Sequence, residues 1–134
     1  MIEREAFASS AIEKVLIPSK VTKICEYAFS DCERLKSVEF PANCKIETIE
    51  KESFSSTLIE KISIPANVSV IKSFAFYDCK KLKTVLIPNN SKLRSIESYA
   101  FGETHIESIS IPSKLDRIGI GAFKGCSYLT SLEI

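Results

Sequence analysis

The chain has one histidine, no tryptophan, one methionine and only four glycines in 134 residues. A lone imidazole leaves little material for general acid–base work or for a histidine-built zinc site. Gly119-Ile120-Gly121 is too short for a phosphate cradle, and no helix pattern follows it. Neither sign of charge dominates: 18 Lys+Arg stand against 17 Asp+Glu, for a net charge of +1. That balance argues against nucleic acid or an anionic membrane as a partner. No run of this sequence approaches the ~20 apolar residues of a membrane-spanning helix, so direct membrane insertion is not expected. The opening MIEREAFASS lacks the basic-then-apolar layout of a secretory signal, which makes a cytoplasmic location the expectation if the chain is complete. Catalytic residues, metal ligands and cofactors are all expected to be none, and the chain reads as a non-enzyme.

What the sequence does have is a repeat, and repeats decide a fold before local propensity does. Prolines at 18, 41, 65, 88 and 112 recur every 23 or 24 residues and end the runs VLIP, VEFP, ISIP, VLIP and SISIP. Phe7, Phe29, Phe54, Phe76, Phe101 and Phe123 keep the same beat, their spacings alternating between 22 and 25 in a 47-residue period. AFSDCERLKSVEFP, AFYDCKKLKTVLIP and AFKGCSYLTSLEI form one class of unit; AFASSAIEKVLIP, SFSSTLIEKISIP and AFGETHIESISIP form the other.

Each unit carries one short β-run, at 12–17, 35–40, 59–64, 82–87, 106–111 and 129–134. All six read apolar-x-x-apolar-x-apolar, and the last two apolar positions alternate as a strand does. Proline then stops the run, having no N–H for a ladder. A second apolar pair follows: Val21/Ile24, Ile46/Ile49, Val68/Ile71, Leu93/Ile96 and Leu115/Ile118. One unit cannot bury both apolar rows alone, whereas stacked units can, with strands about 4.8 Å apart. The expected fold is one solenoid domain over residues 1–134. It has six coils, a parallel β-sheet on the concave face and short or irregular return segments on the convex face. The crossover rule makes it right-handed. The phenylalanines should form an interior column with ring-to-ring contacts.

The motif I-x-x-x-A-F-x-x-C-x-x-L-x-x-V-x-I-P followed by V-x-x-I resembles the BspA-type (Treponema pallidum-type) leucine-rich repeat. Cys32, Leu35, Val38, Phe40 and Pro41 carry it, as do Cys79, Leu82, Val85, Ile87 and Pro88. The cysteine-free class is similar to the variant found in surface antigens of parasitic protists. The resemblance implies a curved leucine-rich-repeat array on a cell surface, acting in adhesion or as an interaction module. Its partner would be a protein, from a host or from a second copy. An intracellular leucine-rich-repeat scaffold is the alternative, consistent with cysteines that look reduced.

Candidate residues follow from the columns. Cys32, Cys79 and Cys126 stand 47 apart, two coils or roughly 10 Å, too far for a disulfide with one another. They read as small buried thiols, and Cys25 and Cys44 as partly exposed ones. His105 shares its column with Ala11, Arg34, Leu58, Lys81 and Tyr128, which marks a surface position. Glu13, Lys36, Glu60, Lys83, Glu107 and Thr130 read as an alternating charge ladder. The outward strand positions give the candidate partner-binding face: Lys14, Leu16, Ser37, Glu39, Lys61, Ser63, Thr84, Leu86, Ser108 and Ser110. Tyr27, Phe74 and Tyr99 read as convex aromatics, serving either local packing or an interface. Asn67-Val68-Ser69 and Asn89-Asn90-Ser91 are formal glycosylation sequons. No capping unit is recognisable, so the ends are expected to associate, with a homodimer as the first expectation and heterologous stacking into longer arrays as the alternative.

Overall fold

A computed structural model describes residues 1–133; Ile134, the last residue of the sixth β-run, lies outside them. The strands are β1 (Lys14–Leu16), β2 (Ser37–Glu39), β3 (Thr48–Ile49), β4 (Lys61–Ser63), β5 (Val70–Ile71), β6 (Thr84–Leu86), β7 (Ser95–Ile96), β8 (Ser108–Ser110), β9 (Arg117–Ile118) and β10 (Ser131–Glu133). Among the described residues there is no helix. The chain is a parallel β-solenoid in which each strand pairs with its equivalent one unit away.

The three-residue strands all come from the apolar-x-apolar runs, and β2, β4, β6 and β8 show why. Their middle residues Val38, Ile62, Val85 and Ile109 are buried. The second apolar pair, read from sequence only as a return segment, forms a sheet of its own. Thr48 pairs with Val70, Val70 with Ser95 and Ser95 with Arg117, in the order β3-β5-β7-β9.

Through the core runs the phenylalanine column. Phe29, Phe54, Phe76 and Phe101 are fully buried. Successive rings from Phe7 to Phe123 sit 5.2, 5.4, 5.5, 5.3 and 5.6 Å apart, with planes within 9° of parallel. Each ring is followed one coil later by another, so the column is a continuous apolar rod.

The convex segments carry no helix, yet they satisfy their backbone, which any buried segment must do. In the first unit, Ala6, Ala8 and Ser10 donate N–H bonds back to Glu3, Glu5 and Phe7, closing three overlapping turns. The intervening residues Glu5, Phe7 and Ser9 donate forward to the carbonyls of Glu26, Ala28 and Ser30 in the next unit. This alternation demands left-handed backbone on either side of the phenylalanine. Two residues before it, Glu5, Tyr27, Glu52, Phe74 and Tyr99 have φ of 51–60°, and Gly121 has 63°. Two residues after it, Ser9, Asp31, Ser56, Asp78 and Glu103 have φ of 54–59°, and Gly125 has 76°. Such a conformation costs an L-residue about 1–2 kcal/mol. The fold accepts that cost in every unit to turn alternate N–H groups along the solenoid axis.

The two classes of unit make the strand face uneven. β1 pairs with β2, β4 with β6 and β8 with β10 over their full lengths. β6 meets β8 only at Thr84↔Ser108, and β2 and β4 share no ladder pair. The weak steps follow the units with the longer passage from proline to the next apolar residue, Pro41 to Ile46 and Pro88 to Leu93. At the first of them Phe40 replaces the usual isoleucine and sets its ring edge-on to Phe54, 6.5 Å away at 82°. Phe29 and Phe54 still stack across this step, at 5.4 Å.

Candidate functional site

Strand alternation projects the ten outward residues to a single face. Lys14, Leu16, Glu39, Lys61, Ser63, Thr84, Leu86, Ser108 and Ser110 are exposed, and Ser37 is half-buried. Two of them are apolar and still open, Leu16 at 62% and Leu86 at 45% exposure. In register, Leu16 lies beside Glu39 and Ser63 beside Leu86. Lys14 Nζ meets Glu39 Oε1 at 2.9 Å, an exposed pair of small energetic weight. The face is therefore a polar, serine-rich strip with two apolar points.

The unpaired step between β2 and β4 opens a cleft of about 460 Å³ in this strip, lined by Ser37, Glu39, Lys61 and Ser63 together with Lys36, Val38, Phe40 and Glu60. Its charges are mixed, so the cleft favours no particular sign of ligand. A second cleft of about 510 Å³ opens at the same step on the other sheet, between Thr22, Lys23, Lys45, Glu47, Thr48 and Glu50. The one sign of this step in the sequence is the longer passage from Pro41 to Ile46; spacing alone does not show that the strands part there.

The expected charge ladder does not form side-chain pairs. Main-chain bonds do align the column, Lys36 N–H donating to Glu13 O at 2.9 Å and Lys83 N–H to Glu60 O at 3.0 Å. The Glu13 carboxylate instead takes Arg34, at 3.2 Å. Arg34 lies one unit on, two residues before Lys36, and its guanidinium reaches the carboxylate.

All five cysteines are free thiols. Cys32, Cys79 and Cys126 donate to the carbonyls of Phe7, Phe54 and Phe101, at 3.0, 3.1 and 3.1 Å. Each sulfur also touches a hydroxyl at the equivalent position of the preceding unit: Ser10 at 3.5 Å, Thr57 at 3.3 Å and Thr104 at 3.2 Å. The column is thus an alternation of hydroxyl and thiol that ties the first turn to the second, the third to the fourth and the fifth to the sixth. Reading the third residue after each phenylalanine across both classes would have revealed it. Cys32 and Cys79 are buried, whereas Cys126, in the last unit, is partly open. Burial pushes the Cys79 thiol up to about 11, against a hydrogen bond from Thr57 that acts the other way.

Cys44 corrects an expectation: it is 5% exposed, not open. The turn after Pro41 folds it inward, its N–H bonding Pro41 O at 3.0 Å. Ser91, whose polarity suggested a surface column, is itself only 6% exposed. Its hydroxyl accepts the Leu93 N–H at 3.1 Å, which is how a polar residue fits there. Cys25 is partly exposed as expected.

The remaining candidates serve packing. Phe74 stacks on Tyr99 with centroids 5.1 Å apart, and Tyr77 packs edge-on to both. Arg4 lies over the Tyr27 ring at 5.3 Å. All four aromatics are half-buried. His105 is also half-buried, its ring 4.7 Å from that of Tyr128 rather than free in solvent. Of the two sequons, Asn67 has its amide engaged, Nδ2 donating to Cys44 O at 2.9 Å, while Asn89 is exposed.

The same architecture occurs in solved structures. The pneumococcal vaccine antigen PcpA superposes with a TM-score of 0.80 at 29% identity, over 90% of this chain and 29% of that one. A leucine-rich repeat protein from Eubacterium ventriosum ATCC 27560 gives 0.80 at 29% identity, over 94% and 34%. A leucine-rich cell surface protein from Faecalibacterium prausnitzii A2-165 gives 0.67 at 27% identity, over 92% and 39%. The chain therefore spans about a third of the length of these structures. No curated protein matches it. The model of the BspA-type leucine-rich repeat region matches residues 1–134 in six copies. With the repeat, the solenoid and the phenylalanine column in agreement, the chain belongs to the BspA-type leucine-rich repeat family.

Proposed function

We propose that the chain is a non-enzymatic protein-interaction module whose strand face takes a protein partner, as part of a cell-surface adhesin or antigen contacting host or neighbouring cells. The observation that carries this reading is the exposure of Leu16 and Leu86 within an otherwise polar strip. Open apolar points in a hydrogen-bonding surface are the ingredients of an interface. Support for the surface location comes from two similar proteins, one a vaccine antigen and one a cell surface protein. A second reading, an intracellular scaffold, is favoured by the five free thiols.

The test has two arms. Antibody raised against residues 1–134 is applied to intact source cells and to lysed ones; reaction with intact cells supports the adhesin, and reaction only after lysis supports the scaffold. Purified chain is then applied to host or neighbouring cells, with Leu16→Glu/Leu86→Glu compared with Tyr27→Ala/Tyr99→Ala. Loss of retention with the first pair alone supports the strand face. Equal retention by both pairs rejects it.

A further inference from the structure

The step from the second unit to the third is unlike the other internal steps. On the strand face β2 and β4 share no ladder pair. On the other sheet β3 pairs only with β5, and Ile24, the counterpart of Ile49 one unit earlier, bridges Ile2 instead. The other longer passage, from Pro88 to Leu93, keeps Thr84↔Ser108 on the strand face and both Val70↔Ser95 and Ile71↔Ile96 on the second sheet. Between units two and three the main chain is hydrogen-bonded only at the convex turn, among the described residues. There Tyr27, Phe29 and Asp31 donate N–H bonds to the carbonyls of Lys51, Ser53 and Ser55, at 3.1, 2.9 and 3.0 Å. Phe29 stacks on Phe54 beside them. The covalent crossing lies elsewhere in the coil, in the longer passage between β2 and β3. The two parts of the solenoid are thus hinged along the phenylalanine turn, and widening the seam on the strand face breaks no ladder bond.

We propose that this seam is a strand-acceptor site: an extended segment of the protein partner enters between β2 and β4 and pairs with both. The site rests on the reading of the strand face as the partner surface and specifies what the partner presents there. β2 is paired with β1 and β4 with β6, so each strand has one ladder edge occupied and one turned to the cleft. Main-chain donors and acceptors without a ladder partner are what an added strand satisfies. Lys36, Glu39, Glu60 and Lys61 around the cleft are two of each sign, so they select no charge and leave the main chain as the element recognised. Val38 and Ile62, the middle residues of the two strands, are buried, whereas Glu39, Lys61 and Ser63 are exposed. The entering segment therefore alternates, with an apolar residue inward between Val38 and Ile62 and small or polar residues outward. An added strand needs about 4.8 Å on each side. The seam gains that separation by opening about the phenylalanine turn.

The probe is a capped synthetic peptide with the sequence of residues 106–112, IESISIP, which carries this alternation. Fluorescence anisotropy of the labelled peptide, titrated with the 134-residue chain, should show saturable binding. Successive N–H groups of a strand point to opposite edges, so N-methylating the peptide at the residues matching Ser108 and Ile109 removes one donor toward each neighbour. That change should weaken binding about tenfold. Amide exchange should slow within residues 36–40 and 60–64 when the unmodified peptide is added. Absence of binding, equal binding of the N-methylated peptide, or slowing confined to β1 or β10 overturns the strand-acceptor site. A chain that fails in this way yet is held on cells through Leu16 and Leu86 loses the acceptor site and keeps the strand-face reading. A chain that takes the peptide between β2 and β4 but is not held on cells keeps the site and loses the adhesin reading.

Discussion

Phe76→Ala tests the phenylalanine column where it is most enclosed. The ring is fully buried, with Phe54 at 5.5 Å on one side and Phe101 at 5.3 Å on the other. Deleting a buried ring costs about 3–5 kcal/mol, the upper part of that range applying where neighbours cannot collapse into the space. Here the neighbours are fixed by main-chain bonds, Phe54 N–H to Ala75 O at 3.0 Å and Phe76 N–H to Ala100 O at 2.8 Å, so little collapse is available. A loss near 4–5 kcal/mol follows, set against a typical stability of about 5–15 kcal/mol. Phe7→Ala is the internal control. That ring is 41% exposed and stacks on one neighbour only, Phe29 at 5.2 Å, so its loss should be roughly 1–2 kcal/mol. Lys61→Ala, on the exposed strand face, should change stability by less than about 0.5 kcal/mol. Urea denaturation followed by circular dichroism measures all three, at a concentration low enough to exclude association. If Phe76→Ala and Phe7→Ala differ by less than about 1 kcal/mol, burial along the column does not grade stability and the argument fails.

Ser53→Ala should stabilise the chain by about 1 kcal/mol, because its buried hydroxyl has no partner and the equivalent residues Ala6, Ala28, Ala75, Ala100 and Ala122 are all alanine; a lower urea midpoint would show that the hydroxyl is satisfied. Gly121→Val should destabilise by about 2–3 kcal/mol. It forces a β-branched residue to φ 63° and sets its Cβ 2.8 Å from the Tyr99 ring, so an unchanged thermal midpoint would refute the turn geometry. Cys79 should make the fold sensitive to alkali. Its folded value of about 11 lies above the ordinary 9.0, so the thiol's contribution is complete below pH 9 and is lost as pH rises toward 11. That loss amounts to about 2–3 kcal/mol at most, and a Cys79→Ala variant should lack this part of the decline when both are denatured at pH 8 and at pH 10.5.

The sequence by itself determined the period, the strands, the phenylalanine column and the outward face. Each is a matter of which residue type recurs at which interval, and stacking turns an interval into a spatial neighbour. The exposure of Leu16 and Leu86 was legible for the same reason, since alternation in a strand assigns a side. Tertiary structure decided what depends on distance rather than order. Cys44 is buried because the turn after Pro41 folds inward, a path its polar counterpart Ser91 disguised. Glu13 pairs with Arg34 and not Lys36 because reach, not column membership, selects the partner. The longer passages after Pro41 and Pro88 mark where the ladder weakens, but that β2 and β4 share no pair while β6 and β8 keep Thr84↔Ser108 was decided by the tertiary structure. The direction of the turn hydrogen bonds belongs here as well. It arises from left-handed backbone at glutamate, tyrosine, phenylalanine, serine and aspartate, and the order of residues does not show which way those N–H groups turn.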